Sequence, residues 1–249
     1  MKNMKYQKNS EKSKKSGLLL FLLIGMLTGV VCLMQRDLQE KQMPRVAIPE
    51  QLLQFAENYP EAQEFVQNYP EEYDKKHKIN LKSEVTPGKI PLFLQWDARW
   101  GYTPYGDGWI GDSGCGPTCM AMVVCGLTGD TKQNPLTIAA FCEEQGYYIP
   151  DVGTSWDLMT TGAEHFGIHG TETEITEQEI LAQLSENHPM ICSMSPGDFT
   201  KGGHFIVLTG ITGDGTILVN DPNSRINSEK QWSPEVLIPQ IKHIWHYTN

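Results

Sequence analysis

A cysteine between two glycines stands at the start of an unbroken apolar run in this chain. Gly114-Cys115-Gly116-Pro117 is followed by residues 118–127, which read as a buried helix without a breaker before Gly126. Pro117 suits the first turn of a helix, where its missing N–H costs nothing. Glycines on both sides of Cys115 allow backbone or substrate to approach it closely. The positive potential at a helix N-terminus favours the nucleophilic thiolate, so Cys115 is a candidate nucleophile.

The N-terminus predicts a membrane anchor. Residues 17–34 carry no charge, and as a helix they would rise about 27 Å, close to the bilayer core of about 30 Å. Residues 1–16 hold six lysines and one glutamate. The positive-inside rule therefore places this basic tail in the cytoplasm and the remainder outside. No small-residue cleavage site follows, which favours an uncleaved single-pass anchor in the lipid bilayer over a cleaved signal peptide that releases a secreted protein.

Residues 35–88 predict a linker followed by short helices. Asn58-Tyr59-Pro60-Glu61 recurs as Asn68-Tyr69-Pro70-Glu71, and Pro49-Glu50 is a truncated third copy. Each Pro-Glu pair can open a helix, with proline in the first turn and an acid at the positive end. We interpret this region as a spacer packed on the main domain. A substrate-recognition or inhibitory segment is the alternative.

Residues 89–249 predict the main domain, with an α+β layout in which helices precede an antiparallel sheet. Asn134, Ser155 or Thr154, and the capping box at Thr176-Glu177-Gln178-Glu179 mark helix starts. Gly213-Asp214-Gly215 is the tight turn of a hairpin. The expected elements are a strand at 90–94, helices at 118–127, 135–145, 156–165 and 177–186, strands at 190–195, 203–212 and 216–220, a short helix from 234, and a strand at 242–247.

The charge of the chain argues against nucleic acid as a partner. The net charge is −10, and because residues 1–16 contribute +5, the rest of the chain carries −15. Such an acidic body argues against binding nucleic acid.

No Cys-x-x-Cys or His-x-x-x-His spacing suggests zinc, and we predict neither a metal nor a cofactor. Cys119, Cys125, Cys142 and Cys192 are interpreted as small buried residues, with disulfide bridges as the alternative.

A thiol nucleophile needs a base, and the base needs a group that orients it. Among seven histidines, His204 stands out because Gly202 and Gly203 precede it and an apolar strand follows it. The hairpin returns through residues 216–220 and brings Asp221 or its neighbour Asn220 back to the level of His204. The two sides of the hairpin differ in length, and a bulge or a strand stagger would account for the difference. A carboxylate there would fix the imidazole tautomer and favour imidazolium.

An oxyanion also needs hydrogen-bond donors. The backbone N–H of Cys115 at the helix start is one candidate, and the side-chain amide of Gln95 is the other. Each of Gln95, Cys115, His204 and Asp221 occurs in the structural context that its role requires, so catalysis is favoured over a structural cysteine.

The motifs Gln95-Trp96-Asp97-x-Arg99-Trp100, Gly114-Cys115-Gly116-Pro117-Thr118, Gly203-His204-Phe205 and Asn220-Asp221-Pro222 resemble the C39-like cysteine peptidases of bacteria, within the papain-like superfamily. The resemblance covers about residues 89–249. It implies a papain-like fold, with Cys115 as nucleophile, His204 as base, Asp221 as orienting group and Gln95 as oxyanion donor.

We therefore expect an extracytoplasmic, membrane-anchored peptidase that cuts a peptide or protein substrate through an acyl-enzyme intermediate. A cell-wall amidase or acyltransferase with the same triad is the alternative within enzymes. A binding module on this fold that lacks activity is the alternative outside them.

Overall fold

The computed structural model describes residues 28–32, 34 and 46–249, in two units that divide between Val46 and Ala47. In the first unit, residues 28–32 and 34 are helical. The predicted basic tail at 1–16 lies outside the described residues, as do most of the predicted anchor at 17–34 and residues 35–45 of the linker predicted at 35–48. Within the part of the chain that is described, we find no helix that combines the length and the apolar character needed to cross a bilayer.

The second unit opens with the predicted spacer helices. Helix α1 spans Glu50–Asn58, a 3-10 turn spans Pro60–Ala62, and helix α2 spans Gln63–Glu72. Pro49 precedes α1, and Pro60 starts the 3-10 turn, as the repeat predicts. Pro70 instead lies inside the last turn of α2, so the expectation that it opens a helix was wrong. The helix continues past Pro70 because its apolar face is held by packing.

That packing joins residues 50–72, called here the helical segment, to the main domain. The ring of Phe65 stacks on Tyr102 with 4.2 Å between centroids, and the Tyr102 hydroxyl donates to the Phe65 carbonyl oxygen at 2.7 Å. The helical segment is therefore packed on the main domain, and its role as a spacer stays a prediction. Its buried side chains form one cluster with Tyr102 of the main domain: Leu52, Phe55, Ala62, Phe65, Val66 and Tyr69.

The main domain alternates short elements with two longer helices before the sheet begins. In chain order the elements are β1 Pro104–Tyr105, β2 Gly108–Trp109, α3 Ile110–Ser113, α4 Cys115–Thr128, α5 Pro135–Gln145, β3 Tyr148–Ile149, β4 Gly153–Thr154, a 3-10 turn Trp156–Met159, α6 Thr161–Glu164, β5 His169–Glu172, α7 Glu177–Gln183, β6 Met190–Met194, β7 His204–Ile211, β8 Ile217–Asn220, α8 Arg225–Glu229, β9 Gln231–Trp232, α9 Pro234–Leu237, a 3-10 turn Ile238–Gln240 and β10 Ile241–Thr248.

A six-stranded antiparallel sheet in the order β5-β10-β6-β7-β8-β9 supports the domain. Alternate residues on each strand face opposite sides. Ile191 and Val207 pack in the core that contains α4, whereas Cys192 and Ile206 pack in a second core on the other face. The predicted α+β layout, consistent with a papain-like fold, is confirmed.

Two predicted elements were wrong. Residues 90–94 form no strand, because Pro91 lacks an N–H for a ladder and the Nδ2 of Asn220 binds the carbonyls of Ile90 and Pro91 at 3.3 and 2.9 Å. The helix expected at 156–165 breaks at Thr160, where φ is −117° and ψ is −87°. The carbonyl of Met159 just before this break accepts from the Tyr247 hydroxyl at 3.0 Å, so a tertiary contact replaces the helical hydrogen bond.

Candidate active site

Cys115 is the first residue of α4, and Gly114 separates it from α3. The helix is buried along its length and ends at Gly129, whose φ of 73° suits glycine. Its first amides, those of Cys115 and Gly116, have no acceptor one turn back in the same helix. The sequence therefore folds locally as predicted, with the thiol at the positive end of a 14-residue helix.

The glycines around Cys115 serve packing within the protein. A Cβ added at Gly116 would lie 2.8 Å from atoms of Thr154, and one at Gly114 would lie 2.5 Å from the Ile110 carbonyl oxygen. By contrast, a Cβ at Gly202 or Gly203 would meet nothing within 4 Å. Open space thus borders Gly202 and Gly203 beside His204, whereas protein atoms fill the space at Gly114 and Gly116.

His204 and Asp221 form a buried pair. Nε2 of His204 donates to Oδ1 of Asp221 at 2.8 Å, and the two residues are 5% and 0% exposed. The register explains this approach: Val207 pairs with Asn220, and a bulge between Leu208 and Gly210 absorbs one residue of β7. Asp221 follows β8 directly, so its side chain reaches His204 diagonally across the hairpin.

Three polar groups hold the carboxylate of Asp221 and its backbone. The amide N–H of Asn223 donates to Oδ1, and Nδ2 of Asn227 donates to Oδ2, both at 2.8 Å. The backbone N–H of Asp221 donates to Oγ of Ser228 at 2.9 Å. Sequence reasoning missed these groups and the helix α8 that carries two of them. Ser224, which caps α8 by accepting from the amide of Asn227, was the available signal.

The environment of His204 favours its charged form. Burial alone would lower the pKa of His204, but the charge of Asp221, the hydrogen bond to it, and the hydrogen bond and charge of Cys115 together raise the pKa well above its ordinary value. Because Nε2 faces Asp221, Nδ1 is the nitrogen left for Cys115. The arrangement can therefore keep an imidazolium beside the thiol.

Gln95 occupies a different place from the other three predicted residues. Its Nε2 donates to the Gly111 carbonyl oxygen at 2.9 Å, and its Oε1 has no hydrogen-bond partner among the described residues. Its backbone N–H donates to the Pro222 carbonyl oxygen at 2.8 Å. Gln95 thus ties helix α3, which precedes Cys115, to the loop after Asp221. Its predicted role as an oxyanion donor stays a prediction.

Asn220, the alternative orienting group, points elsewhere. Its side chain binds the carbonyls of Ile90 and Pro91, whereas Asp221 takes the hydrogen bond from His204. Of the two neighbours, the structure places only Asp221 against the imidazole.

A cleft of about 760 Å³ runs past the thiol and the imidazole. Cys115 and His204 both line it, together with Gly203, Trp156 and Lys242. The side chains that line it within the described residues do not include Gln95. No group of three or more His, Cys, Asp or Glu side chains in residues 28–32, 34 and 46–249 is arranged to hold a metal ion.

The remaining cysteines of the domain are buried free thiols: Cys119, Cys125, Cys142 and Cys192. Burial raises the pKa of Cys125 and of Cys142 to about 12, and it raises the pKa of Cys119 and Cys192 well above the ordinary range. Cys115 is partly exposed and lines the cleft. The thiol at the helix start is therefore the accessible one among these five.

Helices packed on an antiparallel sheet, with a cysteine at a helix start and a histidine on a strand, define a papain-like cysteine-peptidase fold. Residues 88–249 match the Peptidase_C39 like family, and the chain belongs to that family. Comparison with curated proteins finds no match to the chain.

Proposed function

We propose that this protein is a cysteine peptidase that hydrolyses peptide bonds through Cys115, His204 and Asp221. The single observation that carries the proposal is the buried hydrogen bond between His204 and Asp221, 2.8 Å long, beside a thiol that lines the same cleft. Membership in the Peptidase_C39 like family supports a peptide or protein as the substrate.

The proposed chemistry is acyl transfer in two steps. The thiolate of Cys115 attacks the carbonyl carbon, a C–S bond forms, and the carbonyl electron pair moves to oxygen. The backbone N–H of Cys115 and the amide of Gln95 are the proposed donors to that oxygen. The C–N bond then breaks, and the imidazolium of His204 gives its proton to the leaving amine.

The second step releases the acyl group. The neutral imidazole of His204 removes a proton from water, and the resulting hydroxide equivalent attacks the thioester carbon. The C–S bond breaks, the thiolate of Cys115 returns beside the imidazolium, and a carboxylic acid leaves. Asp221 holds the imidazole in the orientation that both steps require.

We also propose that residues 17–34 anchor the chain in a membrane, with the peptidase domain outside the cytoplasm. The support is the uncharged run at 17–34 and the lysines at 1–16. Cell fractionation with N-terminal sequencing tests this proposal. An intact N-terminus in the membrane fraction is the expected result, and a mature N-terminus at about residues 35–45 would contradict it.

The peptidase proposal is tested by chemical reactivity before any substrate is known. Iodoacetamide should alkylate Cys115 at neutral pH faster than it alkylates free glutathione, and His204→Ala should abolish the difference. If Cys115 reacts no faster than glutathione and His204→Ala changes nothing, the enzyme proposal fails.

The substrate is then tested directly. Wild type and Cys115→Ala are incubated with a mixed peptide library and, separately, with purified cell wall. We expect cleavage of peptides by the wild type alone. Release of wall fragments without peptide cleavage would favour an amidase. The same products from the wild type and from Cys115→Ala would contradict hydrolysis by Cys115.

A further inference from the structure

The helical segment, residues 50–72, lies outside the residues that match the family, yet it reaches the site. On the nucleophile side, Nε2 of Gln51 donates to Oδ2 of Asp112 at 2.6 Å, and Asp112 lines the cleft three residues before Cys115. Phe65 packs so close to Gly111 that a Cβ there would lie 2.5 Å from its ring. The segment therefore contacts the backbone that leads into the thiol.

On the opposite side, the same segment contacts helix α8 through Glu61. Oε2 of Glu61 accepts from the backbone N–H groups of Arg225 and Ile226 at 2.9 and 3.3 Å. Its Oε1 accepts from the hydroxyl of Ser224, the N-cap of α8. A five-residue helix has little stability of its own. The Glu61 carboxylate accepts from backbone amides at the start of α8 that have no acceptor within the helix, and its negative charge interacts favourably with the positive end of the helix dipole. Glu61 therefore holds the start of α8 in place.

Helix α8 is the element that carries the support of Asp221. Asn227 donates to Oδ2 of Asp221, and Oγ of Ser228 accepts from its backbone N–H and donates to the Ser224 carbonyl oxygen at 2.7 Å. Oδ1 of the same carboxylate accepts from His204. A continuous series of hydrogen bonds thus runs from Glu61 through α8 to the imidazole.

We infer that Glu61 is a positioning residue for the site, acting through α8 on the orientation of Asp221 and His204. The inference rests on the proposed function, because it assigns Glu61 to the triad named there. It also means that the family domain at 88–249 is completed by a side chain from the segment that precedes it.

The experiment uses the full-length chain and measures the pH profile of Cys115 alkylation by iodoacetamide. Glu61→Ala removes all three hydrogen bonds to α8. Glu61→Gln keeps an acceptor for the two amides and an NH₂ that can donate to Ser224. We expect Glu61→Ala to lose about tenfold in neutral-pH reactivity with an altered pH profile, and Glu61→Gln to restore both.

Tyr102→Phe is the matched control. It removes the hydrogen bond from Tyr102 to the Phe65 carbonyl, and so weakens the attachment of the same segment without touching α8. We expect it to lower stability while it leaves the pH profile as in the wild type. If Tyr102→Phe changes the profile as much as Glu61→Ala does, Glu61 only anchors the segment and the inference is overturned.

The two proposals fail in different ways. A wild-type Cys115 that reacts like glutathione would defeat the peptidase proposal whatever Glu61 does. A wild type with enhanced reactivity that Glu61→Ala leaves unchanged would overturn the inference alone.

Discussion

Nε2 of His204 lies 2.8 Å from Oδ1 of Asp221, and both side chains are buried. A charged pair removed from water in this way is stabilised only when its remaining hydrogen-bonding sites are satisfied. Here the backbone amide of Asn223 and the side chain of Asn227 donate the remaining hydrogen bonds to the Asp221 carboxylate. The pair is therefore an assembled unit, and several measurable properties should depend on it.

Asp221→Asn should lower activity more than it lowers stability. The substitution keeps the shape of the side chain but removes the negative charge that favours the imidazolium of His204, and we expect a loss of about 10²–10⁴ in kcat/KM. The measurement is peptide hydrolysis, or Cys115 alkylation if no substrate is found. Asn220→Ala is the control, because Asn220 supports Ile90 and Pro91 and should affect stability alone. Equal losses of activity in the two variants would contradict the assignment of Asp221.

The His204–Asp221 pair should also make stability depend on pH. The pKa of His204 is raised well above the ordinary value of 6.5 in the folded chain. Its contribution to stability is therefore fully present below about pH 6.5 and is lost as the pH rises through the folded-state pKa. A tenfold difference in proton affinity between the folded and unfolded chains corresponds to about 1.4 kcal/mol. Urea unfolding of wild type and Asp221→Asn across this range measures the difference. The difference in unfolding free energy between the wild type and Asp221→Asn should decrease towards alkaline pH. A difference that increases with pH would contradict the raised pKa of His204.

Gly116→Ala and Gly203→Ala should separate packing from substrate access. A Cβ at Gly116 meets Thr154 at 2.8 Å, whereas a Cβ at Gly203 meets nothing within 4 Å. We expect Gly116→Ala to cost about 1–3 kcal/mol of stability through overpacking. Gly203→Ala should leave thermal unfolding unchanged and raise KM, because Gly203 lines the cleft. A large loss of stability in Gly203→Ala would contradict the expectation that an added methyl group is accommodated there without strain.

Cysteine labelling should discriminate sharply within one chain. Burial raises the pKa of Cys119 and Cys192 and removes both from solvent, so iodoacetamide should not modify them in the folded protein. Cys115 should be modified within the same sample. Peptide mapping by mass spectrometry, repeated in urea, checks both statements. Modification of Cys119 under native conditions would mean that α4 opens locally.

Gln95→Ala should reveal whether its amide has one role or two. Removing the buried hydrogen bond to the Gly111 carbonyl should cost about 1–2 kcal/mol of stability. As an oxyanion donor, Gln95 should in addition contribute about 10² to kcat with little change in KM. Urea unfolding and steady-state kinetics on one preparation give both values. A loss of stability without a loss of kcat would reject the oxyanion role and leave Gln95 as the tie between α3 and the loop after Asp221.

Much of the site was predictable because its elements follow local rules. Gly114-Cys115-Gly116-Pro117 places a cysteine at a helix start, and α4 begins at Cys115. The turn at Gly213-Asp214-Gly215 brings the chain back along β7, and the anticipated irregularity is the bulge between Leu208 and Gly210. Period, turn chemistry and helix capping act over a few residues, so the pattern of residues alone carries them.

Local rules failed where residues distant in sequence compete for the same backbone groups. Asn220 takes the carbonyls of Ile90 and Pro91, 129 or more positions away, and the expected strand does not form. Tyr247 takes the carbonyl of Met159, 88 positions away, and the expected helix breaks. Such hydrogen bonds depend on the packing of the whole domain, which no local pattern records.

Residue types and their spacing predicted a cysteine at a helix start, a histidine at a strand start and an aspartate after the hairpin, and the proposed thiol chemistry rests on these three. Long-range packing in the folded domain places Asp221 and not Asn220 against the imidazole, and it brings Glu61 to α8 from 163 positions before the cap at Ser224. Residue type and local spacing set what a side chain can do, whereas its partner is set by which surfaces the folded core brings together.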